Sequence, residues 1–475
     1  MADKPNVLVF FCDQLRVDLL TCYGGKIVRT PNLQRFSEQA CVFDCAHTPT
    51  AICSPARASL MTGLYPHAHH MFNNSTPSYS YCQHLRPDAT MIQDWAAENT
   101  NYETAYFGKW HIGPIADLFK TSFQHTPEGR STLPYTQKNS HWHPNYSMGA
   151  PLRELGGSSG TMDIPMHEFP DVVTADMTSD FLNTRDRSKP FLAFCAFPGP
   201  HSNWLVPDSF GIRYNPDDIP FWSNRHDPME GKPFNHRKLR LLGTSKKDAE
   251  NDATLKKMLA CLFSYMELID EQVGRVLQTL QETGDYDNTL IVFTADHGDM
   301  AGSHGFLSKG AYMYDEIYRI PLLIKPPGPP APQRLPGPAN LIDVTATCLH
   351  AMSGTPQAVM GNNTLQGQSL LPYMESGTGW DRQVNYCEYH GDWYGHASCR
   401  MVSDGEWKLV LNLTDTCEFY NLREDPAELR NRFYDPDVKA VRDRYFQMLK
   451  DEALRLKDGQ VQRYDSEIED QLMQG

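Results

Sequence analysis

The stretch Ala51-Ile52-Cys53-Ser54-Pro55-Ala56-Arg57-Ala58-Ser59-Leu60-Met61-Thr62-Gly63 reads as a short helix with a cysteine at its mouth and an arginine one turn further in. Pro55 suits a first helical turn, where its fixed φ and missing N–H cost nothing, and Gly63 can supply the left-handed residue that ends the helix. Cys53 then sits where unpaired N–H groups and the positive end of the helix dipole collect. Arg57, four residues on, projects from the same face. An isolated cysteine is most often an ordinary buried thiol. This one lies in a cradle suited to an oxyanion.

The order Cys53-x-Pro55-x-Arg57, then Leu60-Met61 and Thr62-Gly63, resembles without a departure the signature of the type I sulfatases, the formylglycine-dependent family of the alkaline phosphatase superfamily. The resemblance implies that a formylglycine-generating maturation enzyme converts Cys53 to formylglycine (3-oxoalanine) before the protein acts. The implied fold is α/β and alkaline-phosphatase-like: a large mixed sheet flanked by helices, with a smaller C-terminal antiparallel sheet plus helix. The implied reaction is hydrolysis of a sulfate ester to alcohol and inorganic sulfate.

Composition sets bounds around this. A chain of 475 residues exceeds one ordinary core. A turn to Gly and Thr near residues 374–380 suggests a catalytic domain over 1–375 and a smaller subdomain over 376–475. Hydrophobic content of 40% and charged content of 21% are globular values. No apolar run is long enough for a bilayer, so no membrane is expected. The net charge of −15 argues against nucleic acid. Residues 1–6 lead straight into an apolar segment with no basic leader, from which a cytoplasmic location is expected. The 12 cysteines form no CxxC pairs or framework and read as mostly reduced core residues. On that reading the Asn145 and Asn412 glycosylation matches are chance.

Residues 7–11 form a continuous apolar run, as expected of a strand covered on both faces, and Asp13 and Gln14 follow its end. Ligands collect at the carboxyl ends of such strands, so Asp13 is a candidate metal ligand. Many sulfatases carry two aspartates here; Gln14 departs from that and is the weaker ligand. Thr30-Pro31 is expected to open one helix and Thr90 to cap another. Strands are expected at 42–46, 102–107, 191–197, 289–294 and 320–324, with helices over 172–181, 255–280 and 341–352. The proline-rich run 325–338 reads as a surface crossing. Short strands at 384–390, 397–403, 407–413 and 418–421 and a helix over 436–456 complete the tail. Its Trp407-Lys408-Leu409 and Tyr420-Asn421-Leu422-x-x-Asp425-Pro426 stretches resemble the C-terminal sheet of sulfatases.

Gly108-Lys109-Trp110-His111 resembles the second sulfatase motif, with Asn101 in place of the glycine usual at its start. If the strand continues, Lys109 and His111 alternate onto one side and face one substrate. By resemblance, Asn73 and Asn74 lie near the anionic group and the Pro200-His201 pair contacts the leaving oxygen. Asp296 and His297 complete a metal site with Asp13, Gln14 and Cys53, and Lys309 contacts the sulfate. His304 reads as structural.

A sulfate ester repels nucleophiles and has a poor leaving group, so charge neutralisation, a nucleophile and an acid are all needed. The resemblance supplies them. One divalent metal, Ca2+ foremost with Mn2+, Mg2+ or Zn2+ open, binds a sulfate oxygen. The hydrated aldehyde at residue 53 attacks sulfur, His201 or Lys309 protonates the departing alcohol, and His111 removes a proton to expel sulfate. Arg57 and Lys109 fix the anionic groups. The substrate is expected to be a small or oligosaccharide sulfate ester. The alternative is a formylglycine-dependent phosphonate monoester or phosphodiester hydrolase, among which Asp-Gln and Asp-His ligands also occur. Homo-oligomerisation is left open. Discrimination between alcohols is expected from the unpatterned stretches 120–170 and 207–245, among them His141, Trp142, His143, Tyr146, Trp222, Arg225 and His226.

Overall fold

The computed structural model describes residues 4–75, 82–113, 115–118, 120–127, 152–156, 159–242, 251–392, 395–461 and 464. Its centre is a seven-stranded sheet of β1 (Asn6–Cys12), β2 (Cys41–His47), β3 (Glu103–Gly108), β4 (Phe191–Phe197), β5 (Thr289–Ala295), β6 (Leu322–Lys325) and β7 (Gln333–Asn340). The spatial order is β7-β2-β6-β5-β1-β4-β3. Only β6 runs antiparallel to its neighbours β5 and β2; the other pairings are parallel. Six strands therefore deliver their carboxyl ends to one edge, where α/β sheets bind ligands. β1, β4 and β5 are buried at every position. Their lack of alternation follows from helices on both faces. The 31-residue helix Asp252–Glu282 packs on one of them, opened by Asn251 Oδ1, which accepts from Thr254 N at 3.0 Å.

Three local expectations are corrected. Thr30 does not cap the helix Pro31–Ser37; the Asp270 carboxylate of the long helix does, accepting from Asn32 N at 3.0 Å and Leu33 N at 2.8 Å. Thr90 does not cap the helix Ile92–Asn99, because its hydroxyl accepts from Asn362 N at 3.0 Å. The run 325–338 is not only a crossing. Its second half is the edge strand β7, whose ladder with β2 shifts register between Leu335 and Pro338, and prolines are tolerated at such an edge.

A four-stranded antiparallel sheet follows, β8 (Asn385–Tyr389), β9 (Cys399–Ser403), β10 (Trp407–Asn412) and β11 (Glu418–Asn421). The helix Lys439–Leu456 covers one face, with Val402, Leu409, Phe419, Tyr445 and Leu449 in one apolar cluster that also takes in Tyr65 and Ile342 of the main body. Among the described residues, no helix is long and apolar enough to cross a membrane. All 12 cysteines are free and all but Cys82 are buried, as expected of reduced core residues.

Candidate active site

The helix carrying the cysteine spans Cys53–Thr62 and ends at Gly63 with φ 68°, the left-handed stop expected there. Every residue of it is buried. Ser54 N donates to Asn74 Oδ1 at 3.0 Å and Asn74 N donates to an Asp392 carboxylate oxygen at 3.0 Å, so the helix mouth is held from two directions.

Groups from the strand ends converge on Cys53 Sγ. Lys309 Nζ and His297 Nε2 each lie 3.1 Å from it, and Asp13 Oδ1 lies at 3.9 Å. Arg57 Nη2 pairs with Asp13 Oδ2 at 2.9 Å, Arg57 Nε with Asp296 Oδ2 at 3.0 Å, and Lys109 also pairs with Asp13. Lys309 Nζ reaches Gln14 Oε1 at 2.5 Å and His201 Nε2 at 3.1 Å. Cys53, Arg57, Lys109, His201, Lys309, Asp13, Gln14, Asp296 and His297 are thus one buried cluster.

The charges act on each other. Burial and the Asp13 carboxylate push the Cys53 thiol up, but Lys309, Lys109 and His297 outweigh them and hold it below its ordinary value. Burial likewise works against ionised Asp13, yet Lys109, Arg57, His201 and Lys309 hold its carboxyl well below the usual carboxylate range.

Asp13, Cys53, Asp296 and His297 offer ligand atoms all within 4.8 Å of one another. His297 Nδ1 lies 2.8 Å from the Gly298 carbonyl, which can only accept; Nδ1 therefore carries a proton and Nε2 is the nitrogen turned to the cluster. The Gln14 amide NH2 donates to Asp299, which turns Oε1 inward. Two carboxylates, an amide oxygen and one imidazole nitrogen fit a hard or borderline divalent cation.

His111 sits differently from expectation. β3 ends at Gly108 and His111 has φ 59°, so the strand does not carry Lys109 and His111 onto one side. Lys109 enters the cluster while His111 is buried beside it, its carbonyl accepting from Ser75 Oγ at 3.4 Å. Asn73 donates its amide to the Gly391 carbonyl, and its Oδ1 accepts from Cys82 N at 3.2 Å. His141, Trp142, His143 and Tyr146 lie outside the described residues. Of the second stretch, Arg225 is buried against Asp252 at 2.9 Å, and Trp222 Nε1 donates to the Ala301 carbonyl at 2.8 Å. Those two tie the stretch down, and of the three residues named from it His226 is the exposed one. His304 is held at 2.6 Å by Asp227 and stacks on Tyr314.

Sequence reasoning missed supporting groups. Asp299 orients Gln14, and Tyr106 Oη donates at 2.5 Å to the Lys109 carbonyl, which also accepts from Arg57 Nη1 at 2.7 Å. Asp299 lies two residues after His297 in sequence, a signal that could have been used.

Residues 5–355 match the family described as Sulfatase, and residues 302–455 match the C-terminal region described as N-sulphoglucosamine sulphohydrolase. The chain is 27% identical over 471 residues to the uncharacterized sulfatase YidJ of Escherichia coli, covering 96% of this chain and 88% of that protein. It is 25% identical over 525 residues to an N-acetylglucosamine-6-O-sulfatase of Bacteroides thetaiotaomicron, covering 96% and 87%. Among solved structures, the phosphonate monoester hydrolase of Agrobacterium radiobacter superposes with a TM-score of 0.79 at 25% identity, covering 95% of this chain and 96% of that one. A protein solved with its substrate D-glucosamine-2-N,6-O-disulfate superposes at 0.77 and 22% identity, covering 97% and 100%. The family implies formylglycine and a divalent metal. This chain belongs to the sulfatase family, with the alkaline-phosphatase-like fold, and is a sulfuric ester hydrolase.

Proposed function

We propose that residue 53, as formylglycine, is the nucleophile toward the sulfur of a sulfate ester on an amino sugar or a similar polar alcohol. Asp13, Gln14, Asp296, His297 and residue 53 would hold one divalent cation, calcium foremost because oxygen donors dominate. Such a cation supplies positive charge to the sulfate oxygens and lowers the cost of ionising a bound hydroxyl. The observation that carries the reading is the placement of Lys309 Nζ and His297 Nε2 at the same 3.1 Å from Cys53 Sγ, beside Arg57 and Asp13.

The residues divide the work by position. Arg57, its Nε and Nη2 braced by Asp296 and Asp13, presents a fixed guanidinium to an anion, and Lys109 adds charge from the carboxyl end of β3. His201 Nδ1 lies 2.5 Å from the Ser202 carbonyl and so carries a proton, leaving Nε2 to accept from Lys309. Lys309 and His201 together are the proton source for the departing alcohol, and His111 is the base for the hydroxyl of residue 53. Asn74, through Ser54, and Asn73, through Gly391, frame the anion side of the pocket. The catalytic unit is 1–375 and the smaller subdomain 376–475. A sulfated amino sugar is favoured because one relative is an N-acetylglucosamine-6-O-sulfatase and one structural neighbour holds a glucosamine disulfate.

A second reading, hydrolysis of phosphonate monoesters or phosphodiesters, is favoured by Gln14 and His297 standing where many sulfatases carry Asp and Asn, and by the match to the Agrobacterium enzyme. Matured protein assayed on sulfated amino sugars, aryl sulfates, phosphodiesters and phosphonate monoesters tests both. Faster turnover of a sulfate ester is expected; much faster turnover of a phosphodiester would replace the first reading with the second.

A further inference from the structure

One buried carboxylate stands outside the cluster and grips the turn that carries His201. Asp171 lies in the first turn of the helix Pro170–Thr184 and is fully buried. Its Oδ1 accepts from Gly199 N at 3.0 Å, and its Oδ2 accepts from Tyr265 Oη of the long helix at 2.7 Å. The Gly199 carbonyl in turn accepts from Asp13 N at 3.1 Å. The peptide units on either side of Gly199 are therefore pinned, one to the end of β1 and one to Asp171, two residues before His201. Gly199 is also fitted against the tyrosine: a Cβ there would lie 2.5 Å from the Tyr265 ring and hydroxyl, so only glycine lets the turn sit this close. Trp204 Nε1 donates to the Pro200 carbonyl at 2.9 Å and fixes the far side.

We infer that Asp171, with Tyr265, is a positioning residue for His201, holding the residue 198–204 turn so that His201 Nε2 stays on Lys309. A buried carboxylate is costly unless its oxygens are bonded. Here both oxygens have partners, and one partner is the backbone of the turn. Burial still pushes its carboxyl up to about 7, although the Tyr265 and Gly199 bonds pull the other way. An apolar residue would have filled this position without that cost, so what the carboxylate adds is its two acceptors. A misplacement of about 1 Å at a catalytic group can cost about a hundredfold in rate.

The inference rests on the proposed role of His201 as part of the proton source for the leaving alcohol, and the test separates the two. Such a proton matters when the leaving oxygen is basic, as on a sugar, and matters little for an activated aryl oxide. The kcat/KM of matured wild type, His201→Ala, Asp171→Ala, Asp171→Asn and Tyr265→Phe is measured on a sugar sulfate and on an aryl sulfate with an acidic phenol. Asp171→Ala is expected to fall at least about tenfold on the sugar sulfate and no more than roughly twofold on the aryl sulfate. Asp171→Asn, which keeps an oxygen for Gly199 N–H, is expected to recover most of that loss. Tyr265→Phe should show the same selectivity at smaller size, and it carries the comparison if Asp171→Ala does not fold. Selective loss in His201→Ala together with uniform or absent loss in the Asp171 and Tyr265 variants would overturn the inference. Uniform loss in His201→Ala itself would overturn the role given to His201.

Discussion

Two buried ionic clusters in this molecule use the same residue types and do different things. One surrounds Cys53. The other lies where β8 and β9 meet the end of the helix Lys439–Leu456: Glu388 accepts from His67 Nδ1 at 3.0 Å and His390 Nε2 at 2.6 Å, and Asp458 pairs with Arg400 at 2.5 Å and accepts from Tyr386 Oη at 2.8 Å. Each has a carboxyl held well below the usual range, Asp13 in one and Glu388 in the other. Depressed acidity in a buried site therefore does not tell them apart. Convergence does. In the second cluster the pairs His67–Glu388 and Arg400–Asp458 join one segment of the fold to another, and both nitrogens of His67 are spent, Nε2 on the Leu456 carbonyl at 3.0 Å. In the first, a lysine and an imidazole from the segment after β5 and a carboxylate from the end of β1 all turn toward one sulfur.

Activity and stability should divide along this line. The largest effect is expected at residue 53: Cys53→Ala should lose at least about ten-thousandfold in kcat/KM while unfolding like wild type, and peptide mass spectrometry should find formylglycine at 53 in active preparations. Full activity with only unmodified cysteine there would break the comparison at its centre. Next is the metal. Asp296→Ala should lose the bound divalent ion and about a thousandfold in rate, while Glu388→Gln keeps one ion per chain by elemental analysis. His67, Glu388 and Asp458 also lie close enough to hold an ion, so a second equivalent of metal would make the second cluster a metal site as well. Arg400 already occupies Asp458, which is why none is expected.

Smaller effects sharpen the division. Lys109→Ala and His111→Ala should each cost about a hundredfold on a sulfate ester with little change in unfolding. Glu388→Gln should do the reverse, leaving kcat/KM within roughly threefold and lowering the unfolding free energy by about 3 kcal/mol, read by urea titration, because it leaves the cationic His67 without its counter-charge.

What could be read from the chain follows the same physics. The runs at β1, β4 and β5 and the stripe of the long helix were legible because burial on both faces, or on one helical face, writes itself into local composition. The Cys53 helix is buried all round and carries no stripe, and its ends were readable only from Pro55 and Gly63. Groups that reach across the fold left no local mark. Asp270 caps a helix 237 residues away in sequence from Leu33, and Asp171 meets Tyr265 across 94 positions. His111 was misplaced because a left-handed residue after Gly108 breaks the two-residue period that reading required.

The smallest expected effect is one of pH, and its sign is fixed by which partner is charged. Burial alone would lower the His67 pKa, but Glu388 raises it from the ordinary 6.5 to about 9. A group whose folded pKa lies above its unfolded one stabilises the fold fully below the unfolded value and loses that contribution as pH rises through the folded value. Wild type should therefore lose stability from near pH 6.5 to beyond pH 9, and His67→Gln should lose less over the same range. Asp171 and Glu428, pushed up to about 7 and about 8, also destabilise the fold as pH rises toward those values. They are common to both proteins and cancel in the difference. Urea midpoints of the two proteins at pH 6, 7.5 and 9.5 give the measurement. A gap that stayed constant across the three would mean that folding leaves the His67 pKa unchanged and that the second cluster is held by hydrogen bonds rather than by charge.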